Sequence, residues 1–192
     1  FECEMIGAGF GLVPNVRLAD AIGCEHGGGA VKTDAFQRTS VDGVWCAGES
    51  AGIGGVDVAI LEGEIAGCAA VGADIDRQLL RSRDRARAFV AALGRAYALR
   101  PELRAMADGD EILCRCEDAT VSQVRACESW RDAKLQCRCG MGECQGRTCG
   151  SIAAYLFGWE VRDGRAPTAP VRVRELMQIM SEDPSAESGQ GE

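Results

Sequence analysis

Six of the chain's eleven cysteines fall in two short stretches, Cys114-Arg-Cys116 and Cys137-Arg-Cys-Gly-Met-Gly-Glu-Cys144-Gln-Gly-Arg-Thr-Cys149. Thiolates in such clusters are ligands for zinc or for iron–sulfur centres. The glycines between them let the backbone fold around an ion and aim its N–H groups at the sulfurs. The pairs Cys114/Cys116 and Cys144/Cys149 are spaced as Cys-x-Cys, 27 intervening residues, then Cys-x4-Cys. Zinc sites usually pair Cys-x2–4-Cys knuckles, and plant-type ferredoxin spacing differs too. The spacing therefore predicts a metal site, with iron–sulfur preferred and zinc still open.

Composition narrows the setting. The count of eleven cysteines is odd, and Cys-x-Cys pairs bridge poorly within themselves. Without a secretory segment, a reduced cytoplasmic chain using thiolates as ligands is the expectation. Cys3, Cys24, Cys46, Cys68 and Cys127 stand in apolar or helical contexts and read as small buried hydrophobes. His26 is the one histidine, so a Rieske-type ligand pair is excluded. A net charge of −8 argues against nucleic acid as a partner. No apolar run reaches the roughly 18 residues that span a bilayer. With 46% hydrophobic and 26% charged residues, the chain can bury a core. It begins at Phe1 with residues that read as the middle of a sheet, and a C-terminal fragment is the expectation.

The elements that must position the thiols can be read in turn. Thr120 with Gln123 forms a capping box, which predicts a helix from Val121 to about Trp130, with Val124 and Cys127 turned inward. Ala133 to Leu135 begins another short element. Ser151 to Phe157 is an apolar helix starting just past Cys149, where the helix dipole would favour thiolate charge. Upstream, Arg77 to Tyr97 has helical spacing, with Leu79, Leu80, Phe89, Val90 and Leu93 on the apolar side and arginines opposite. Eight arginines lie between Arg77 and Arg104; a solvated face, or a docking surface for an acidic partner, is preferred to a nucleic-acid patch. Pro101 breaks this helix, and Glu102 to Ala107 adds a shorter one.

The first third holds a second chemical feature. Glu4 to Pro14 starts as an apolar strand, but Gly7-Ala-Gly9 fails as a dinucleotide fingerprint because Pro14 interrupts the helix that must follow. Asn15 is expected to cap a helix over 16–22 that Gly23 ends. Val44 to Ala47 reads as a short buried strand ending at Gly48-Glu49. The loop Ser50-Ala-Gly-Ile-Gly-Gly55 then opens a helix over 56–71. Strand, glycine loop and helix N-terminus together suit an anionic or electron-rich group. Gly63 and Gly67 on that helix predict close backbone approach to a sheet or flat ligand, with ordinary tight packing as the alternative.

These residues resemble a known family. Thr39-Ser-Val-Asp-Gly-Val-Trp-Cys-Ala-Gly-Glu49, then Gly-Ile-Gly-Gly and Glu62-Gly-Glu-Ile-Ala-Gly67, look like the C-terminal FAD-binding segment of two-dinucleotide-domain flavoproteins. Cys114-Arg-Cys-Glu-Asp-Ala-Thr120 with Gly140-Met-Gly-Glu-Cys-Gln-Gly-Arg-Thr-Cys149 resembles the bacterioferritin-associated-ferredoxin-like [2Fe–2S] domain. That domain follows the FAD domain in FAD/NAD(P)-binding subunits of opine oxidases, hydrogen cyanide synthases and dye-linked L-proline dehydrogenases. The resemblance implies cluster ligation by Cys114, Cys116, Cys144 and Cys149. It also implies that Gly48 and Glu49 face the ribityl–phosphate part of FAD, and Gly54, Gly55 and Val56 the isoalloxazine. Members usually carry Thr and a small residue where Cys137 and Cys139 stand, so these two read as extra thiols beside the site that could substitute as ligands but are not counted among them. Arg115, Arg138 and Arg147 are expected to offset the cluster's charge and raise its potential.

The implied fold is an α/β fragment of an FAD-binding domain followed by a small, mainly helical [2Fe–2S] domain. Residues 1–76 form the flavin part, 77–110 a helical connector, 111–160 the cluster domain, and 161–192 a strap, a short docking helix over 171–180 and a disordered acidic tail. The implied function is electron transfer between the cluster and FAD in an amine- or amino-acid-oxidising hetero-oligomer. Its substrate would be oxidised in a separate flavin-bearing subunit. This portion alone is expected to lack activity and tight FAD binding. No residue here reads as a substrate-handling catalyst. The alternatives are a zinc-bound structural module and an iron–sulfur sensor or assembly protein.

Overall fold

The computed structural model describes residues 2–7, 9, 11–161, 168 and 171–181. Helix α1 (Arg17–Ile22) precedes a small antiparallel hairpin, β1 (His26–Gly27) and β2 (Ala30–Val31), with His26 opposite Val31. A 3-10 turn at Gly48–Ala51 leads into helix α2 (Gly55–Ala70), which packs on helix α3 (Arg77–Ala96). After α4 (Leu103–Met106) comes a second antiparallel pair, β3 (Ile112–Cys114) and β4 (Ala119–Thr120). Helices α5 (Val121–Arg125), α6 (Trp130–Cys137) and α7 (Cys149–Phe157) follow, then α8 (Val173–Ser181).

Several helices start on side-chain caps. Asp76 accepts from the Gln78 N–H at 2.8 Å and starts α3. Thr120 and Gln123 form the reciprocal box at the head of α5, and Ser129 accepts from the Asp132 N–H at 3.1 Å to start α6. Each satisfies an N–H that a helix leaves without an internal partner. The cap of α1 is displaced by one residue: Val16 occupies the N-cap position, while Asn15 Oδ1 accepts from the Arg17 N–H at 3.4 Å. The helix expected to run from Val121 to Trp130 is broken at Ala126, and Trp130 instead begins α6. Ser129 recaps the chain there, which restarts the helix in a new direction.

Other expectations change more. Glu4–Gly7 forms no strand, and Val44–Ala47 contributes only the isolated bridge between Arg38 and Trp45. A strand is held by ladder partners, and the described residues offer this segment only one. The arginine face of α3 is not simply solvated. Arg83 is 4% exposed and donates to the Ala35 carbonyl and to Asp84, whereas Phe89 and Leu93 face solvent. Nothing lies within 4 Å of the Cβ positions at Gly63 and Gly67, so among the described residues no close approach accounts for these glycines. The tail expected to be disordered and most of the strap lie outside the described residues. Among the described residues no helix is long and apolar enough to cross a membrane.

One core cluster gathers Leu113, Cys114, Ala119, Val121, Val124, Trp130, Ala133, Cys139, Cys149 and Ala153, joining β3, β4 and α5 to α7. Three thiols are thus built into apolar packing.

Candidate metal centre

The sulfurs of Cys114, Cys139 and Cys149 lie within 4.8 Å of one another, all three buried. Cys114 ends strand β3, Cys139 follows α6, and Cys149 is the first residue of α7. Beside this trio, the free thiols of Cys116 and Cys144 are hydrogen-bonded to each other, with Cys116 exposed and Cys144 half-buried. The site therefore has an inner group of three sulfurs and an outer pair. Cys137 turns away: its thiol donates to the Ala133 carbonyl at 3.1 Å and bonds Cys127.

The electrostatics prepare one thiolate in each group. The Cys149 thiol is pulled down to about 6, first by the bond from Cys139, then by Cys114 and the N–H groups of Cys149 and Gly140, against the opposing effect of burial. Cys139 moves the opposite way, raised by its bond to Cys149, by burial and by neighbouring thiols. In the outer pair burial raises Cys144, but the Thr148 and Gly146 N–H groups and the Cys116 thiol hold it below its ordinary range. The Cys144 N–H lowers Cys116; its bond to the Cys144 sulfur, burial and nearby thiol charge leave it raised. Backbone N–H groups aimed at sulfur are what a thiolate-ligated cluster requires around it.

Two glycines make the loop possible. A Cβ at Gly142 would fall 2.2 Å from the Cβ of Cys116, and one at Gly140 would fall 2.5 Å from the Trp130 ring. Only a residue without a side chain lets the later loop lie this close to the earlier cysteine pair. Arg138, in the left-handed conformation at φ 59°, closes α6 and donates to Glu117 at 2.7 Å. That ion pair ties the Cys137–Cys139 corner to the Cys114–Cys116 turn. Arg138 thus has a carboxylate partner, and its charge is not free to act on a metal centre alone.

The flavin-type segment is also ordered. Gly48 adopts φ +73°, and its N–H donates to Glu62 Oε2 at 2.9 Å. Glu62 is 1% exposed and receives Arg87 Nε on its other oxygen at 2.7 Å. A helix carboxylate thereby fixes the start of the Gly48–Ala51 turn. Glu49 is exposed, and Gly54 packs so tightly that a Cβ there would meet Val58 at 2.9 Å. Gly55 and Val56 open the exposed N-terminus of α2, with Val56 70% exposed.

A cleft of about 720 Å³ runs between residues 13–29 and 145–161. One wall carries Asn15, Asp20 and His26; the other carries Gln145, Gly146 and Arg147 from the loop joining Cys144 to Cys149. Ser50, next to Glu49, donates to the Asn15 carbonyl at 3.0 Å, so the flavin-type turn adjoins this cleft. His26 stays with Asp20, Nε2 to Oδ1 2.7 Å, away from the thiols.

The pyridine nucleotide-disulphide oxidoreductase family matches residues 1–63. An opine oxidase subunit of Rhizobium meliloti (strain 1021) is 36% identical over 91% of this chain and 44% of its own length. The chain is a homologue of such oxidoreductase subunits. The corresponding opine oxidase subunit of Agrobacterium tumefaciens (strain Ach5) is 31% identical over 88% of the chain and 40% of its own length. Hydrogen cyanide synthase subunit HcnB of Pseudomonas aeruginosa is 31% identical over 77% and 36%. The chain spans less than half the length of these relatives. No solved structure matches it.

Cys139, read from the sequence as an extra thiol beside the site, joins the inner sulfurs. One feature escapes a reading of the sequence. Glu62 stands out only as part of a motif. Its partners Gly48 and Arg87 are 14 and 25 residues away, a separation that no local pattern encodes.

Proposed function

We propose that the chain is the electron-transfer portion of a flavin-dependent oxidoreductase, working between a [2Fe–2S] cluster and FAD. The observation that carries this reading is the arrangement of sulfurs, Cys114 with Cys149 inside and Cys116 with Cys144 outside. Two adjacent thiol pairs suit two irons with two cysteines each. In this reading Cys114, Cys116, Cys144 and Cys149 hold the cluster, which when bound supplies one-electron transfer. The chain's own contribution is to exclude water with Trp130, Leu113 and Ala153, and to aim the Gly140, Gly146 and Thr148 amides at sulfur.

For FAD, support comes from the open first turn of α2, the left-handed turn at Gly48 and the tight packing of Gly54. Gly48 and Glu49 would face the ribityl–phosphate portion, and Gly54, Gly55 and Val56 the ring, together with sequence outside this chain. The cleft beside the Cys144–Cys149 loop is walled on its other side by residues 13–29, and the Ser50–Asn15 hydrogen bond puts the flavin-type turn next to it. We assign residues 1–76 to flavin, 77–110 to a connector, 111–160 to the cluster and 161–192 to the strap and tail. The relatives are named as subunits, which supports a hetero-oligomer whose substrate-oxidising, flavin-bearing subunit handles the amine or amino acid. The reading puts the protein in the cytoplasm, where thiolate ligands stay reduced.

Anaerobic purification, visible absorption, iron and sulfide assay and EPR of the reduced protein test the proposal. Two irons and two sulfides per chain are expected; a Cys144→Ser variant with full iron would remove the ligand assignment. The trio of buried sulfurs favours one second reading, a mononuclear zinc site. In that case the protein is colourless, with stoichiometric zinc and no sulfide.

A further inference from the structure

We propose that Cys139 is a reserve ligand for the buried side of the metal centre, able to take the place of Cys149 or Cys114. The inference rests on the cluster reading above and adds a fifth thiol to it.

Three sulfurs occupy the inner position, where the two-plus-two arrangement uses two. Cys114, Cys139 and Cys149 are 1%, 0% and 2% exposed, and all their sulfurs lie within 4.8 Å of one another. A metal bonded to any two of them therefore has the third beside it. The Cys139 position is also built rather than incidental. Its N–H donates to the Ala133 carbonyl at 3.3 Å. Arg138 before it is locked to Glu117, and Gly140 after it lies against Trp130. Cys137, two residues earlier, has its thiol on a helix carbonyl, and no comparable third sulfur joins the outer pair among the described residues. The redundancy is confined to the inner side.

Exchange at this position is redox-neutral. One iron–sulfur bond to Cys149 breaks and one to Cys139 forms; Cys139 gives up its thiol proton and the released Cys149 sulfur takes one. No oxidant or reductant is needed.

The test uses the complete protein that carries this sequence, purified anaerobically as wild type, Cys139→Ala, Cys149→Ser and the double variant. Iron and sulfide per chain and EPR of the reduced sample are read, with circular dichroism to check folding. Cys149→Ser should keep roughly half or more of the wild-type iron and sulfide with an altered EPR signal, and the double variant about a tenth or less. Cys114→Ser, alone and with Cys139→Ala, repeats the comparison should Cys149→Ser not fold. Cluster loss in Cys149→Ser and Cys114→Ser equal to that in their doubles would overturn the proposal. So would doubles that keep as much iron as the singles, because Cys139 would then be only a small buried hydrophobe. A wild type without iron and sulfide would instead refute the cluster reading itself.

Discussion

Gly142→Ala is the sharpest perturbation of the centre. Its new methyl would lie 2.2 Å from the Cβ of Cys116, 3.3 Å from that residue's sulfur and 3.3 Å from Glu117 Oε1. Ordinary contact begins at 3.4 Å and extends to 4 Å, so the loop and the Cys116 turn must part by about 1.2–1.8 Å. A Cβ cannot rotate away as a side-chain tip can, so the backbone has to move. Metal–ligand distances tolerate only about 0.2 Å, several times less than this displacement. Iron and sulfide per chain are expected to fall by about tenfold or more. In the metal-free protein the overpacking should cost about 1–3 kcal/mol, which lowers the melting temperature by roughly 2–12 °C for a chain of this size. Gly67→Ala is the control: its Cβ position is open and helical, so it should gain up to about 1 kcal/mol. Elemental analysis, visible absorption and calorimetry on both variants provide the comparison. A Gly142→Ala protein with wild-type iron content and an unchanged spectrum would refute the close approach of the two cysteine stretches.

Glu62→Ala removes the charge-assisted acceptor of the Gly48 N–H and the partner of Arg87. Because Arg87 is 37% exposed and regains water, the loss should be about 2–3 kcal/mol rather than the larger cost of a fully buried pair; chemical denaturation measures it, and a change under about 0.5 kcal/mol would refute the clamp. Stability of the metal-free protein should depend on pH. The Cys149 thiol is depressed from an ordinary 9.0 to about 6, chiefly by Cys139, so its contribution is full above pH 9 and disappears as the pH falls through 6. Melting temperature should fall across that interval, and Cys139→Ala should flatten the slope; an unchanged slope would refute the coupling.

Local chemistry was legible without a fold. The Thr120–Gln123 box follows from short-range hydrogen bonding, and the helices near Arg77 and Cys149 from the spacing of apolar residues, both of which nearby residues encode directly. The two cysteine stretches likewise pointed to thiols that could hold a metal, and three of their sulfurs do meet. Strands were less legible. Val44–Ala47 has a strand's composition, yet a strand exists only where a neighbour completes its ladder.

What the chain by itself determined is therefore the inventory of groups: two thiol- and glycine-rich stretches after a segment that matches a dinucleotide-binding family, with homology to oxidoreductase subunits. Which sulfurs meet was decided only in three dimensions. Cys139 and Cys137 look alike in sequence, but the left-handed turn at Arg138 sends one into the apolar core and leaves the other on its own helix. Glu62 and Arg83 were equally unreadable: a buried charge is tolerable only where distant partners satisfy it, and packing, not spacing, brings those partners together.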